Sequence, residues 1–215
     1  MNSISDELHA MRENYDQPPL HKKDLQACPL AQFSKWLEDA VLAKVYDPNA
    51  CSLSTSDEQG NPIARAVLLK GIDNERFTFF TNFNSRKARH LTINPQACMH
   101  FPWFSLQRQV IVTGEVTKVE DEASEVYFKS RPLLSKIGAW ASEQSENLIS
   151  REALEKRFLE MRERYGDDPP KPPHWGGFYL NPETIEFWQG GPNRLHDRFL
   201  YEKTGDEWSI QRLNP

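Results

Sequence analysis

Five residues near the C-terminus, Arg194-Leu195-His196-Asp197-Arg198, follow the tight turn Gly190-Gly191-Pro192-Asn193 and set Arg194, His196 and Arg198 at alternate positions. On an extended strand, side chains two apart share a face, so these three would project together with Leu195 turned away. Cations in a row repel one another, and a bound phosphate or carboxylate relieves that repulsion, so the row reads as an anion receptor. Charged alternation is also the pattern of a solvated edge strand, and that reading stays open beside the first.

Four other segments carry the same kind of signal. Arg65-Ala66-Val67-Leu68-Leu69-Lys70 is an aliphatic strand with a cation at each end, which either brackets a ligand or reaches solvent at both ends. Phe79-Phe80-Thr81-Asn82-Phe83-Asn84-Ser85-Arg86-Lys87 runs from a strand through a turn into a helix start. With Ser85 or Asn84 as N-cap, free backbone N–H groups and two adjacent cations make a phosphate site, although Arg-Lys at a helix start is also an ordinary surface feature. Tyr127 and Arg131 are four apart on a predicted helix and Ser135 opens the next one, so a ring, a guanidinium and a hydroxyl can converge. Gly138-Ala139-Trp140-Ala141-Ser142-Glu143 leads to Gln144-Ser145, and its small residues allow close approach of the backbone. Trp140 and Trp188 are read first as core residues. The cations at these five places are Arg65, Lys70, Arg86, Lys87, Arg131, Arg194 and Arg198, with His196 as an eighth group. A phosphate monoester carries about two negative charges at neutral pH, so this set suits two phosphorylated ligands, a cofactor and a substrate.

Composition narrows the alternatives. With 215 residues, 38% hydrophobic and 27% charged, the chain is long enough for a buried core and too apolar for a disordered protein. No apolar run approaches the ~18 residues that span a bilayer, and the polar, acid-bearing stretch from Met1 to Tyr15 resembles neither a secretory signal nor a transit peptide. Cys28, Cys51 and Cys98 are odd in number and widely spaced, which fits a reducing cytoplasm better than a disulfide framework or a zinc ribbon. A net charge of −5 weighs against a general nucleic-acid binder. Gly-x-Gly-x-x-Gly, a Walker loop and Gly-x-Ser-x-Gly are all missing, and His9, His21, His90, His100, His174 and His196 show no His-Glu-x-x-His spacing, so no metal site is expected.

The elements that must position these groups are many short strands with helices between them. Apolar residues at steps of three and four predict a helix from Pro29 to Val45. Ala50 to Ser56, Ile63 to Lys70 and Arg76 to Thr81 read as three consecutive antiparallel strands, and Ser85 to Ile93 as a short helix. Two strands follow, Ala97 to Phe104 and Arg108 to Val119, and then helices over Asp121 to Ser130, Leu133 to Trp140 and Ser150 to Tyr165, the last with i,i+4 pairs Glu152/Lys156 and Glu160/Arg164. After the Pro-rich connector from Gly166 to Pro173, the segments Gly177 to Leu180, Thr184 to Trp188, Arg194 to Tyr201 and Trp208 to Leu213 supply up to four more strands. The fold class expected is mainly β with inserted helices, a barrel decorated by helices.

Taken in order, these blocks resemble the pyridoxamine 5'-phosphate oxidase family, FMN enzymes of vitamin B6 metabolism. The resemblance runs through Arg65 to Lys70, Thr81-Asn82, Ser85-Arg86-Lys87, Arg108-Gln109-Val110, Ser130-Arg131-Pro132 and Ile137-Gly138-Ala139-Trp140 to Gln144-Ser145. It continues through Phe187-Trp188-Gln189-Gly190-Gly191 and Arg194 to Arg198, ending at Arg212-Leu213-Asn214-Pro215. It implies an FMN-binding split β-barrel over residues 29–215, an N-terminal segment 1–28 that closes over the substrate, and a homodimer with two flavin sites at its interface. FMN would fall to Arg65, Val67, Leu68, Lys70, Phe80, Thr81, Arg86, Lys87, Gln109, Gln144, Ser145, Trp188 and Arg198. The phosphorylated pyridine would fall to Arg12, Tyr15, Lys70, Tyr127, Arg131, Ser135, Arg194 and His196, the last two also catalytic. Phe80 stands where the family pattern has Tyr.

The resemblance further implies the reaction: hydride passes from C4' of pyridoxamine or pyridoxine 5'-phosphate to flavin N5, oxygen takes the electrons to give hydrogen peroxide, and the amine substrate releases ammonia through an imine. Two rival functions remain. One is a flavin or pyridoxal 5'-phosphate binding protein on the same barrel without turnover, and the other is a β-barrel nucleic-acid binder, disfavoured by the acidic total.

Overall fold

The computed structural model describes residues 4–11 and 14–215. Helices are α1 (Ile4–Ala10), α2 (Pro29–Leu42), α3 (Arg86–Ile93), α4 (Asp121–Ser130), α5 (Leu133–Ala141) and α6 (Arg151–Tyr165). Strands are β1 (Ala50–Ser56), β2 (Pro62–Leu68), β3 (Gly71–Asp73), β4 (Arg76–Asn82), β5 (Gln96–Trp103), β6 (Arg108–Lys118), β7 (Trp175–Gln189), β8 (Asp197–Thr204) and β9 (Glu207–Leu213). They hydrogen-bond in the order β2-β1-β5-β6-β7-β4-β3, with β8 added to β7 and β9 to β8. The chain is therefore mainly antiparallel sheet with helices set between strands, as the alternating patterns predict.

Its residues group into two compact units, one from 1–48, 101–111 and 184–215, the other from 49–100 and 112–183. In the first, α2 opens with Pro29 at its first turn, where the missing N–H is harmless, and buries Leu30, Phe33, Trp36 and Ala40. Phe33 meets Phe101 edge-on at 4.9 Å and Trp36 meets Phe187 at 5.2 Å. Full burial of such a side chain contributes about 1.5–3 kcal/mol. Arg108 lies over the Trp36 ring and bonds Asp39 and Gln189, so its charge is matched in place. In the second unit the core is built from Leu53, Phe77, Phe79, Met99, Val112, Phe128, Ile137 and Leu180, all fully buried.

Several predicted boundaries are corrected. Helix α2 ends at Leu42 rather than Val45, because the chain turns through left-handed backbone at Lys44 and Asp47. The three segments read as consecutive antiparallel strands are not one meander: β2 pairs with β1, while β4 pairs with the extra short strand β3 and with β7. The two strands predicted on either side of Asn181-Pro182-Glu183 are one strand, β7, and within the expected gap the Asn181 amide bonds Glu115 O and Thr117 Oγ1. On α6 the ion pairs seen are Arg151–Glu155 and Lys156–Glu160, shifted from the predicted set.

The largest correction concerns the C-terminal row. Pro192–Arg194 forms a single 3-10 turn in which Asn193 and Arg194 have φ of 56° and 65°. Strand β8 starts only at Asp197. Arg194, His196 and Arg198 are therefore not alternate residues of one strand, and the reading of a continuous cationic face fails.

Candidate active site

A cavity of about 620 Å³ opens within the second unit, in the range of roughly 300–1,000 Å³ usual for small-molecule sites. One wall is the end of β2 with Ala66, Val67 and Leu68, followed by Lys70. A second is the end of β4, Phe80, Thr81 and Asn82, with Lys87 from the first turn of α3. The junction of α4 and α5 supplies Tyr127, Arg131, Pro132 and Ser135, and the segment beyond supplies Gly138, Ala139, Ser142 and Gln144. Trp175, at the start of β7, completes the lining.

Two cations in the lining of this cavity, Lys87 and Arg131, stand without a carboxylate partner among the described residues. Lys87 is buried, and among the described residues its ammonium donates to the hydroxyls of Thr81 at 3.0 Å and Ser85 at 3.4 Å, with no carboxylate beside it. Burial first, and then the charge of Arg65, push the Lys87 pKa down to about 8. Burial and the charge of Arg86 lower that of Arg65. Arg65 is held by Leu53 O at 3.1 Å and Thr55 Oγ1 at 2.7 Å, and Thr55 Oγ1 lies 3.3 Å from His90 Nδ1. Such a cluster is unfavourable without an anion, so its chemistry suits a phosphate. The loop after α5 is fastened over it, since Thr81 Oγ1 donates to Gln144 Oε1 at 3.3 Å, Asn82 Nδ2 to Ser142 O at 3.3 Å, and the Arg86 N–H to Ser145 Oγ at 3.1 Å. Ser85 is the residue before α3, as predicted, but its side chain accepts from Lys87 instead of capping the helix.

Arg131 also lines the cavity, just past the last turn of α4. Its Nη1 is buried without a hydrogen-bond partner, and burial lowers the guanidinium pKa. A buried donor left unmatched is costly, and an anion in the cavity would satisfy it. The residues present therefore fit two phosphate-bearing ligands in one cavity.

The first unit carries the remaining group. Tyr15, Trp188 and His196 form a cluster: the Tyr15 ring meets Trp188 at 5.6 Å and His196 at 5.4 Å, both edge-on, and Trp188 lies 4.7 Å from His196. Gly190 makes room for this ring, because a Cβ there would lie 2.8 Å from Tyr15 Cγ. The Gly191 N–H donates to His196 Nδ1 at 3.2 Å, which fixes the neutral tautomer with its proton on Nε2. Burial and the neighbouring Arg194 hold the His196 imidazolium below its ordinary pKa, in agreement with that tautomer. Arg198 makes a forked pair with Glu186 at 2.8 and 3.1 Å and donates to Asn214 O, so its charge is already matched within the chain.

Ten of the residues predicted from the sequence line the cavity: Val67, Leu68, Lys70, Phe80, Thr81, Lys87, Tyr127, Arg131, Ser135 and Gln144. Arg65, Arg86 and Ser145 do not line it. Tyr15, Gln109, Trp188, Arg194, His196 and Arg198 belong to the first unit, and Arg12 lies outside the described residues. Trp140 packs on Tyr165 and donates to Pro170 O, away from the lining. The remaining lining residues are Ala66, Asn82, Pro132, Gly138, Ala139 and Ser142, all in segments singled out from the sequence, and Trp175, which sequence reasoning missed. Its signal was an aromatic residue set directly before Gly176-Gly177.

Residues 37–165 match the family model described as pyridoxamine 5'-phosphate oxidase, and 175–215 the one described as pyridoxine 5'-phosphate oxidase C-terminal dimerisation region. The chain belongs to the pyridoxamine 5'-phosphate oxidase family. Among similar family members, the pyridoxine/pyridoxamine 5'-phosphate oxidase of Burkholderia lata is 50% identical over 211 residues, covering 97% of this chain and 99% of the relative. That of Paraburkholderia phymatum is 48% identical over 216 residues and the full length of both. PhzG from Burkholderia lata, solved with tetrahydrophenazine-1-carboxylic acid, superposes with a TM-score of 0.88 at 30% identity over 94% of this chain and all of that one. A pyridoxamine 5'-phosphate oxidase-related, FMN-binding protein from Nostoc punctiforme shares the fold, with a TM-score of 0.70 at 20% identity over 89% of this chain and all of that one. The fold is the split β-barrel of this family, and Trp188, Arg194, His196 and Arg198 all fall in the segment that matches the dimerisation region. Among the described residues no helix is long and apolar enough to cross a membrane.

Proposed function

We propose that this chain is an FMN-dependent oxidase that converts pyridoxamine 5'-phosphate or pyridoxine 5'-phosphate to pyridoxal 5'-phosphate, working as a homodimer in the cytoplasm. The observation that carries the reading is a single cavity lined by two cations that have no carboxylate partner among the described residues, Lys87 and Arg131, in a chain of this family. Bound FMN supplies the chemistry the side chains lack, accepting a hydride from the substrate's C4' and returning the electrons to oxygen. The protein's part is to bind, orient and exclude water.

Lys87, with Arg65 and Arg86 behind it, holds the cofactor phosphate, and Val67, Leu68, Thr81 and Gln144 border its rings. Lys70, Tyr127, Arg131 and Ser135 hold the substrate phosphate. Arg194 and His196 orient the C4' side of the substrate. His196 is a neutral Nε2–H donor in that role, since Nδ1 is occupied by the Gly191 N–H.

The depressed pKa of Lys87 sets a pH dependence. Its ammonium is charged at pH 7, begins to lose its proton near pH 8, and returns toward its ordinary range when a phosphate dianion arrives. Binding then takes up a proton above that pH, so FMN affinity should fall by up to about tenfold per pH unit there. Folding of the FMN-free protein has the opposite sign: the folded pKa lies below the unfolded value of about 10.4, so this contribution to stability improves as pH rises from near 8 toward that value. Titrating the FMN-free protein with FMN from about pH 7 to about pH 9.5 tests the first statement, and Lys87→Met should flatten the slope.

The catalytic reading is tested by oxygen uptake on adding pyridoxine 5'-phosphate to the yellow holoprotein, with unphosphorylated pyridoxine as the control. Uptake with the phosphorylated substrate and little with the control is expected. A protein that binds flavin but consumes no oxygen with either 5'-phosphate would be a binder, not this enzyme. The likeness to PhzG at 30% identity gives a second substrate class, a tricyclic carboxylate of the kind in that structure, and the same assay with such a compound separates the two.

A further inference from the structure

We infer that Trp175 is a positioning residue for the substrate phosphate: its indole face holds the Arg131 guanidinium and, through the ring of Phe80, the ring of Tyr127. The inference rests on the proposed role of Arg131 and Tyr127 as phosphate ligands. Arg131 Cζ lies 4.8 Å from the Trp175 ring centroid and 5.5 Å from that of Phe128. Among the described residues it has no carboxylate partner, and its buried Nη1 makes no hydrogen bond.

A guanidinium can be fixed by a carboxylate or by an aromatic face, and the two differ in what they leave over. A carboxylate takes up N–H donors and cancels the charge, as Glu186 does for Arg198. An aromatic face attracts the cation through its quadrupole and leaves the in-plane donors free. At Arg131 the second arrangement keeps charge and donors available for an incoming anion while fixing where they stand.

The stack extends further. Phe80 lies parallel to Trp175 at 5.3 Å and 7°, and Tyr127 lies on Phe80 at 4.0 Å and 18°. The register of β4 and β7 makes this possible, because Phe80 pairs with Gly177 and Asn82 with Trp175. The Phe80 ring covers the bare Gly177, where a Cβ would come within 2.8 Å of Phe80 Cε1 and 2.7 Å of Val119 Cγ2. The start of β7 is itself tied down: the Trp175 N–H donates to Pro172 O at 3.1 Å, and Lys171 Nζ bridges Trp175 O at 3.3 Å and Asp121 Oδ1 at 2.7 Å, the first residue of α4. Arg131 follows that same helix. The stack uses only the ring of residue 80, so Phe80 serves without a hydroxyl.

The test is a double-mutant cycle in the holoenzyme with pyridoxine 5'-phosphate as substrate. Trp175→Leu should raise KM about tenfold, change kcat far less, and leave FMN content per chain unchanged. Trp175→Phe should give a smaller rise. In an Arg131→Gln background either change should add little to KM, since the cation that the ring holds is gone. Equal KM effects of the Trp175 variants in both backgrounds would mark a general packing role and overturn the inference. Failure of Arg131→Gln itself to raise KM would instead sink the assignment of Arg131 to the phosphate. If Trp175→Leu does not yield folded protein, Trp175→Phe carries the same cycle with the same two outcomes.

Discussion

Arg131→Gln is expected to lower kcat/KM for pyridoxine 5'-phosphate by at least about 100-fold, with most of the loss in KM. The size follows from the donors removed: each charge-assisted hydrogen bond is worth about 1.5–3 kcal/mol, and a guanidinium offers two to one phosphate. The loss falls on KM because the phosphate is remote from the reacting carbon and is held equally in ground and transition states. Arg131→Lys should recover only part of the loss, since an ammonium lacks the planar fork and the ring contact is weaker. Steady-state oxygen uptake measures both variants. Unphosphorylated pyridoxine is the control, because wild type and variant should turn it over at similar low rates. A fall confined to kcat would contradict the role.

Arg194→Ala is expected to lower kcat/KM at least tenfold with FMN still bound. Arg194 and Arg198 look alike in the sequence, but the structure separates them. Arg198 is neutralised by Glu186, whereas Arg194 is exposed on a left-handed turn, and among the described residues no carboxylate holds it. A free guanidinium beside the neutral His196 is available for the substrate, so its removal should act on turnover rather than on cofactor retention. Kinetics paired with FMN released per chain on denaturation gives the answer, and an unchanged kcat/KM would refute the role. Removing Arg198 should act differently: it leaves Glu186 partly buried without its partner, which destabilises the fold.

Periodicity made much of this architecture legible before the structure. Helix α4 begins and ends at the predicted residues, and the alternation of Val110, Val112, Gly114 and Val116 placed the buried face of β6. What failed did so where a long-range contact overrides a local rule. The segments Gly177 to Leu180 and Thr184 to Trp188 read as two strands, yet the Asn181 amide bonds β6 and the strand runs on. The alternation from Arg194 to Arg198 reads as a strand face, yet the turn before it carries left-handed backbone into Arg194 itself.

At the site, the sequence displayed the cations but not their surroundings. Lys87 and Arg131 were visible as positive charges, and what gives them meaning is burial without a carboxylate, which no local pattern encodes. Trp175 was invisible as a partner of Arg131 because that contact depends on the register of β4 against β7. Arg65 shows another limit: a charge in an aliphatic strand left ligand contact and solvent exposure both open, and the structure adds a third setting, bonds to Leu53 O and Thr55 Oγ1.

The central claim is that cofactor and phosphorylated substrate occupy one cavity close enough for electrons to pass between them directly. Mixing the holoprotein with one equivalent of pyridoxine 5'-phosphate per flavin under strictly anaerobic conditions tests it. Bleaching of the flavin absorbance together with one pyridoxal 5'-phosphate formed per flavin is expected. An unbleached spectrum from protein that demonstrably binds both compounds would contradict it.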